Sequence, residues 1–379
     1  MHPSERIKGE KSKKLWNKKI AFGITGSIAA IECVKIAHEL IRHGANVFPI
    51  MTKDACNILH PEAMKYATGN DAIVELTGNV EHVSLDADLL LIAPCTANTI
   101  SKIANGIADN ALTTFALTFE NKILIAPAMH EKMFKNKFIE ENIRKCIERG
   151  IKFIFPKIEE GKAKMAGNEE IVETVIRELR GKDKEGKKVL VIGGSTYEPI
   201  DDVRVLTNLS SGKMARAISI EAYERGANVE TWFGGISSFP FIPNKSFFTI
   251  KDLINLIKKA KKYDAIINCA AISDFIVKKR KGKIESGKKF SISLNPSPRI
   301  NPMLKKIGKV VIGFKLEDKN IFERAHKRLL EDEIDYIIGN KINSIGKDYT
   351  EIWIIGEKGL IEKVKGKKEE IAKNIVDLI

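Results

Sequence analysis

KVLVIGGSTYEPIDDVRVLTNLSSGKMA, residues 188–215, opens with four apolar residues, Val189 to Ile192, the pattern of a strand buried on both faces. Gly193, Gly194, Ser195 and Thr196 follow as a small, hydroxyl-rich turn whose backbone N–H groups can approach a phosphate without Cβ obstruction. The irregular segment EPIDDVRVLTN then carries Asp201, Asp202, Arg204 and Asn208. It leads to Ser210, Ser211, Gly212 and Lys213, which open a helix reading KMARAISIEAYERGA. A helix start preceded by Ser-Ser-Gly and carrying a lysine attracts anions. A plain strand, loop and cap is the bland alternative, but the polar insert is longer than a βα connection needs. The stretch predicts two anion-binding turns around one ligand-facing loop.

The same pattern occurs earlier in the chain. KIAFGITGSIAAIECVKIAHELIRHGANVFPI, from Lys19, also runs strand, Gly-rich turn, amphipathic helix, GANV, strand. This is the opening βαβ unit of a doubly wound sheet, present twice, and it predicts an α/β protein of two Rossmann-like domains. The charged stretch RELRGKDKEGKK at 177–188 marks the boundary. The expected organisation is a basic extension over 1–18, a first domain over 19–182 and a second over 183–379. The first fifteen or so residues are expected to be poorly ordered.

With 379 residues there is chain enough for two cores. At 44% hydrophobic and 30% charged, and without a run of eighteen apolar residues, it is not expected to span a membrane. No apolar segment follows the basic N-terminus, so no secretory signal is expected. The formal charge of +14 raises the question of nucleic acid. The basic residues are mixed with acids and accompany no nucleic-acid motif, so none is expected, and anionic substrates account for a positive field equally well. Abundant Lys, Glu and Ile with no Gln fits a hyperthermophile. The five cysteines form no CxxC pair or metal-ligand spacing, which points to buried thiols and a cytoplasmic protein.

In the first half, Gly23, Thr25, Gly26 and Ser27 lie between a strand (Ile20 to Ile24) and a helix (28–42), where a phosphate can sit. Thr52 ends the next strand. In ADLLLIAPCTANT, the strand Leu89 to Ala93 places Thr96, Asn98 and Thr99 at its end, and ILIAPAMHEKMF does the same for Met129 and His130. In the second half, Ala270, Ala271 and Asp274 follow the strand Ala265 to Cys269, Gly313, Phe314 and Lys315 end another, and Asn340 ends a third. These are the strand ends at which open α/β sheets collect ligands. The Lys-rich run 278–289 reads as a solvated loop or a mobile functional one.

GGSTYEPIDDVR…TNLSSGKM resembles the signature of phosphopantothenate–cysteine ligases, which form the second half of bifunctional coenzyme A biosynthesis proteins; the archaeal form is the better match. AAISDF is similar to their AAVADF. The resemblance implies that this half activates the 4′-phosphopantothenate carboxylate with CTP, as an acyl-cytidylate, and passes it to L-cysteine. Gly194, Ser195, Thr196, Ser211, Gly212, Lys213, Asp274, Gly313, Phe314 and Lys315 would meet the nucleotide. Arg204 and Ala271 would meet the pantothenate side, Asn208 and Lys283 would be catalytic, and Mg2+ would be held mainly by the nucleotide's phosphates. Lys281 competes with Lys283, and sequence alone does not choose CTP over ATP. The first half resembles the homo-oligomeric flavin-containing cysteine decarboxylases, which have a flavodoxin-like fold. There GITGSIAA (Gly23, Thr25, Gly26, Ser27) and Thr52 would meet the FMN phosphate and ribityl chain. APCTANT (Pro94, Thr96, Asn98, Thr99) would line the flavin ring, His82 in EHVSL would be catalytic, and Met129 and His130 would bind substrate. Decarboxylase trimers and ligase dimers would close a homo-oligomer, a dodecamer.

Two departures stand out. The decarboxylases' PxMNxxMW reads PAMHEKMF, with His130 where an asparagine holds the substrate carboxylate; a donating imidazole can serve there. Their flap cysteine, in an ACGD context, has no counterpart in KIEEGKAKMAGNEEIV, which matches only the later part of the flap through Lys164 and Met165. Lys164 or water remains as proton donor. The rival readings are a flavin prenyl transferase, a flavin-fold regulatory subunit without turnover, and an NAD enzyme; the fused ligase signature and the lack of GxGxxG speak against the first and last.

Overall fold

A computed structural model describes residues 2–235, 241–287 and 289–379, in two compact units, Met1–Gly181 and Lys182–Ile379. The first unit is built on five parallel strands: β1 (Lys19–Ile24), β2 (Asn46–Met51), β3 (Leu89–Cys95), β4 (Lys122–Pro127) and the short β5 (Lys152–Phe153). They lie in the order β2-β1-β3-β4-β5, so the chain reverses direction across the sheet between β1 and β3. Alternate residues serve opposite faces. Ile20, Phe22 and Ile24 pack with Ile36 and Leu40 of the helix Cys33–Arg42. On the other face Ala21, Leu90 and Ile92 pack with Leu112 and Phe115 of the helix Ala111–Thr118. Both faces are covered, which is why these strands read as unbroken apolar runs. The expected helix over 28–42 begins instead as a 3₁₀ turn, Ile28–Glu32, and becomes α-helical at Cys33. There the Cys33 thiol donates to the Ala93 carbonyl of β3, 3.3 Å away, drawing that turn onto the sheet.

The N-terminal extension is ordered, against expectation. It forms the helix Pro3–Ile7, and Leu15 is fully buried. Gly9 N–H donates to Ile41 O (3.0 Å) and Leu15 N–H to His43 O (2.8 Å), fastening it to the end of the helix Cys33–Arg42. Gly44, at φ +101°, makes room: a Cβ there would lie 3.1 Å from Trp16 N. The charge of the segment hides the one apolar pair, Leu15–Trp16, that anchors it.

The second unit carries β6 (Lys188–Gly194), β7 (Asn228–Gly234), β8 (Asn244–Phe247), β9 (Tyr263–Asn268), β10 (Gly308–Glu317), β11 (Tyr336–Lys341), β12 (Tyr349–Gly356) and β13 (Gly359–Lys367). Their order is β8-β7-β6-β9-β10-β11-β12-β13, parallel through β11 and antiparallel thereafter. This is the doubly wound order, reversing between β6 and β9, with an added hairpin at one edge. Val189 and Val191 face Ala215 and Ile218 of the helix Lys213–Glu224, while Leu190 and Ile192 face Leu253 and Ile257 of the helix Ile250–Lys259. The repeated GANV marks one structural event in both units, a glycine in left-handed backbone ending a helix immediately before a strand.

Candidate active sites

In the first unit the crevice opens where β1 and β3 part, beyond their carboxyl ends, as open α/β sheets require. Thr25 fastens its two lips. It is 1% exposed, its hydroxyl donates to Pro94 O (2.8 Å), and it accepts from Thr96 N–H (3.0 Å). Thr25 and Pro94 therefore shape the site from behind. Gly23 is likewise structural, since a Cβ there would lie 2.5 Å from Leu112 Cδ1. The structure brings Gly26, Thr52, Thr96, Asn98 and Thr99 together around a cavity of about 650 Å³, within the range of cofactor sites. A Cβ on Gly26 would lie 2.5 Å from Asp54 Cβ, so glycine lets two loops meet there. Thr52 and Thr96 cap helices, accepting from Ala55 N–H (3.3 Å) and Thr99 N–H (3.4 Å). Lys102, Asp109 and Asn110 also line this cavity, and sequence reading missed them. Lys102 and Asp109 pair at 2.6 Å, and Asn110 caps the helix Ala111–Thr118. The turn-rich NGIADN between two helices was the available signal. A glycine cradle, hydroxyl and amide groups and two lysines, Lys53 and Lys102, each paired with a carboxylate, suit a polar ligand better than a bare apolar one.

A second cleft of the first unit, about 660 Å³, holds Ser27, Ile28, Met129, His130 and Met165. One wall is a hairpin, Lys157–Glu159 with Lys162–Lys164, turning through Glu160 and Gly161 at φ 51° and 70°. It adds to Met129–His130 as an antiparallel ribbon, pairing Met129 with Ala163 and His130 with Lys162. His130 Nδ1 accepts from Lys132 N–H at 3.3 Å, capping the next helix. The neutral ring then carries its proton on Nε2, a donor toward a carboxylate. The hairpin holds no thiol. Lys164 Nζ pairs with Glu160 (3.0 Å) and Glu159 (3.4 Å), and these bonds raise its pKa. The cysteines of this unit lie elsewhere, and burial pushes the Cys146 thiol up to about 11 and Cys95 well above its ordinary value.

His82 lines neither cleft of its own chain. It sits on the short helix Glu81–Ser84, its carbonyl accepting from Thr118 Oγ1 at 3.1 Å. Among the described residues its buried Nδ1 has no hydrogen-bond partner. A buried, unsatisfied imidazole nitrogen is costly and marks a group held for something else.

In the second unit the turn after β6 meets the one after β9. Cys269 N–H donates to Ile192 O and Ala271 N–H to Gly194 O, both at 2.8 Å. Gly194 has φ 75°, and a Cβ there would lie 2.4 Å from Gly234 O. The hydroxyls of Ser195 and Thr196 are turned inward: Ser195 Oγ donates to Asn208 O (2.8 Å) and Thr196 Oγ1 accepts from Ser273 N–H (2.9 Å). They fasten the polar insert across the sheet. Ser211, Gly212 and Lys213 surround a cavity of about 160 Å³ with Ala271, Phe314 and Lys368. Lys213 Nζ pairs with Asp348 at 2.6 Å, both side chains solvent-exposed, so the pair is weak and the ammonium is available.

Asn208, Ala271, Asp274, Phe314 and Lys315 line a neighbouring cavity of about 560 Å³. Asn208 Nδ2 donates to Ile272 O at 3.1 Å, which fixes the amide's orientation. Arg299, Asn301 and Arg328 also reach this cavity. They converge on the fully buried Asp332, with Asn301 Nδ2 at 2.9 Å, Arg328 Nε at 2.8 Å and Arg299 Nη1 at 3.3 Å. Sequence reading missed them because Arg328 in a charged helix resembles a solvated face, and Arg299 and Asn301 stand in and just after a loop with no motif. Gly313 is a packing position, where a Cβ would lie 3.0 Å from Asn301 Nδ2.

The remaining predicted residues form a separate clamp. Burial acts to raise the Asp201 carboxyl, but the N–H groups of Ile284, Val203 and Arg204 and the Arg204 guanidinium hold it well below the usual carboxylate range. Asp202 binds Lys279 (2.6 Å) and Gly282 N–H (2.8 Å). Arg204 also donates to Ile284 O at 3.2 Å. The Lys-rich loop is thereby pinned beside Arg204, but Lys281 and Lys283 are exposed and line neither cavity; Lys288 lies outside the described residues.

Among the described residues no helix is long and apolar enough to cross a membrane, and no group of three or more His, Cys, Asp or Glu is placed to hold a metal. Residues 8–180 match the family described as Flavoprotein, and residues 184–379 the DNA/pantothenate metabolism flavoprotein C-terminal domain. The coenzyme A biosynthesis bifunctional protein CoaBC of Thermococcus kodakarensis is 43% identical, the match covering 100% of this chain and 99% of that protein. That of Methanocaldococcus jannaschii is 44% identical over 100% and 97%. That of Borreliella burgdorferi is 32% identical over 96% and 99%.

Proposed function

Because the chain belongs to the family of bifunctional coenzyme A biosynthesis proteins, a two-activity ligase and decarboxylase, we propose how its own residues divide the work. The second unit joins L-cysteine to 4′-phosphopantothenate and the first removes CO2 from the product, leaving 4′-phosphopantetheine. The observation that carries this is identity of 43–44% to two-activity relatives over nearly their whole length, both units included.

In the first crevice Gly26 and Thr52 would hold the FMN phosphate, with Ser27 following on the side of the second cleft, and Thr96, Asn98 and Thr99 would line its ring. When bound, the flavin supplies the two-electron sink that lets a β-thiol carboxylate lose CO2. His130 Nε2–H orients the substrate carboxylate, and Met129 packs beside it. His82, which faces no cleft of its own chain, acts in that of a second copy, so the site is completed by association; trimers of this unit and dimers of the other close a dodecamer. With no thiol on the hairpin, the proton comes from water or from the Lys164 ammonium, whose pairing with two glutamates makes it a more reluctant donor. In the second unit CTP lies across the two adjoining cavities, its phosphates at Ser211–Lys213 and Mg2+ arriving with them. Lys283, exposed on the loop held beside Arg204, would neutralise phosphate charge.

The purified chain is expected to be yellow, or to become so with FMN, and to release CO2 and pyrophosphate in equal amounts from CTP, cysteine and 4′-phosphopantothenate. Chelating Mg2+ stops pyrophosphate release but not CO2 release from supplied 4′-phosphopantothenoylcysteine. A colourless chain that refuses FMN, or a stable monomer by mass measurement with full CO2 release, removes the shared flavin site. Flavin binding without CO2 release favours the reading, raised by the thiol-free hairpin, that the first unit binds flavin without turnover.

A further inference from the structure

One buried charge of the second unit belongs to a residue outside every motif. Lys368 opens the last helix, Lys368–Val376, yet is only 8% exposed. Its Nζ donates to Ser344 O at 3.2 Å, and among the described residues it meets no other acceptor and no ion-pair partner. A buried ammonium facing one neutral carbonyl is poorly compensated. Burial and the nearby Lys213 lower its pKa, and Asp348, which turns its carboxylate to Lys213 instead, restores part of the loss. An apolar side chain of equal length would serve packing without this cost.

Its position supplies the reason. Lys368 lines the 160 Å³ cavity at the start of the twelve-residue helix Lys213–Glu224, together with Ser211, Gly212 and Lys213. Two lysines and a helix N-terminus line a space suited to one or two phosphate groups rather than to a nucleoside. Ala271 and Phe314 are shared with the 560 Å³ cavity beside it, so a nucleoside there would extend its phosphates inward. We propose that Lys368 is the buried end of the phosphate site, binding the phosphates of the nucleotide and holding the pyrophosphate that leaves. In that step a carboxylate oxygen bonds to the α-phosphorus while the bond to the β-phosphate oxygen breaks, and pyrophosphate takes the electron pair. Lys368 meets that growing negative charge, where Lys213 alone is solvent-screened. This rests on the reading of the turn as a nucleotide site.

Calorimetric titration of the full chain with pyrophosphate tests it, alongside ligase kinetics. Lys368→Met is expected to weaken pyrophosphate binding and raise the KM for CTP by roughly 10–100-fold, as loss of a charged hydrogen bond implies. The KM for 4′-phosphopantothenate stays within about twofold, and Lys368→Arg, which keeps the charge, recovers most of the affinity. If Lys368→Met does not fold, Lys368→Gln takes its place with the same readouts. A variant that loses thermal stability but binds pyrophosphate as the wild type does overturns the assignment, because that is what a purely structural lysine would do. Wild type that binds neither pyrophosphate nor CTP overturns the nucleotide reading of the turn, and Lys368 with it.

Discussion

His82→Asn releases no detectable CO2 from 4′-phosphopantothenoylcysteine while the chain keeps its flavin absorbance. General acid–base groups contribute about 10²–10⁴ in rate, and asparagine fills the space of the ring without titrating near neutral pH. His82 is the candidate for the role because its buried Nδ1 has no hydrogen-bond partner among the described residues, a cost that packing alone does not explain. Flavin binding is expected to survive because, in the proposed site, the ring acts on substrate rather than on the cofactor. His130→Ala has a different signature. Losing one hydrogen bond to a charged carboxylate costs about 1.5–3 kcal/mol, which appears mainly as a raised KM. Stopped-flow absorbance and CO2 release separate the two variants. If His82→Asn turns over normally, the histidine is structural; if it emerges colourless, the ring supports the cofactor instead.

Asn208→Asp is expected to uncouple the two half-reactions of the ligase. Activation joins two anions, so its main need is positive charge, which the proposed site would draw from Mg2+, Lys283, Lys213 and Lys368. Attack by the neutral amine of cysteine is different, because negative charge grows on the acyl oxygen. A fixed amide donor stabilises that charge, and losing such a donor costs about 2.7–4 kcal/mol, or roughly 10²–10³ in rate. Asn208 lies in the 560 Å³ cavity, its amide oriented by the Ile272 carbonyl at 3.1 Å. Its backbone is held independently, since Ser195 Oγ donates to Asn208 O at 2.8 Å, so the substitution leaves the loop in place. Aspartate turns the donor into an acceptor facing that same carbonyl. The variant therefore accumulates acyl-cytidylate and releases pyrophosphate, yet makes little amide. Mass spectrometry after incubation with CTP, Mg2+ and 4′-phosphopantothenate detects the intermediate. Full amide synthesis, or loss of both steps together, removes Asn208 from this role.

The sheets and the strand ends were legible in sequence because local patterns carry them. Four apolar residues between turn signals, as at Val189–Ile192, mean a strand covered on both faces, and the glycine of GANV fixes where helix gives way to strand. Gly26, Thr52, Thr96 and Ser211–Lys213 follow from that order, since doubly wound sheets gather ligands at one edge. Which hydroxyls face a ligand was not legible. Thr25, Ser195 and Thr196 stand in the same motifs as their neighbours, but contacts 71, 13 and 77 residues away in sequence turn them inward. The buried Leu15, the Asp332 cluster and Lys368 were equally hidden, because a residue in a charged run shows its burial only once distant elements close over it. Periodicity and turn chemistry are local and determine the elements; desolvation and hydrogen-bond partners are set by the packed fold, and they decide what each side chain is free to do.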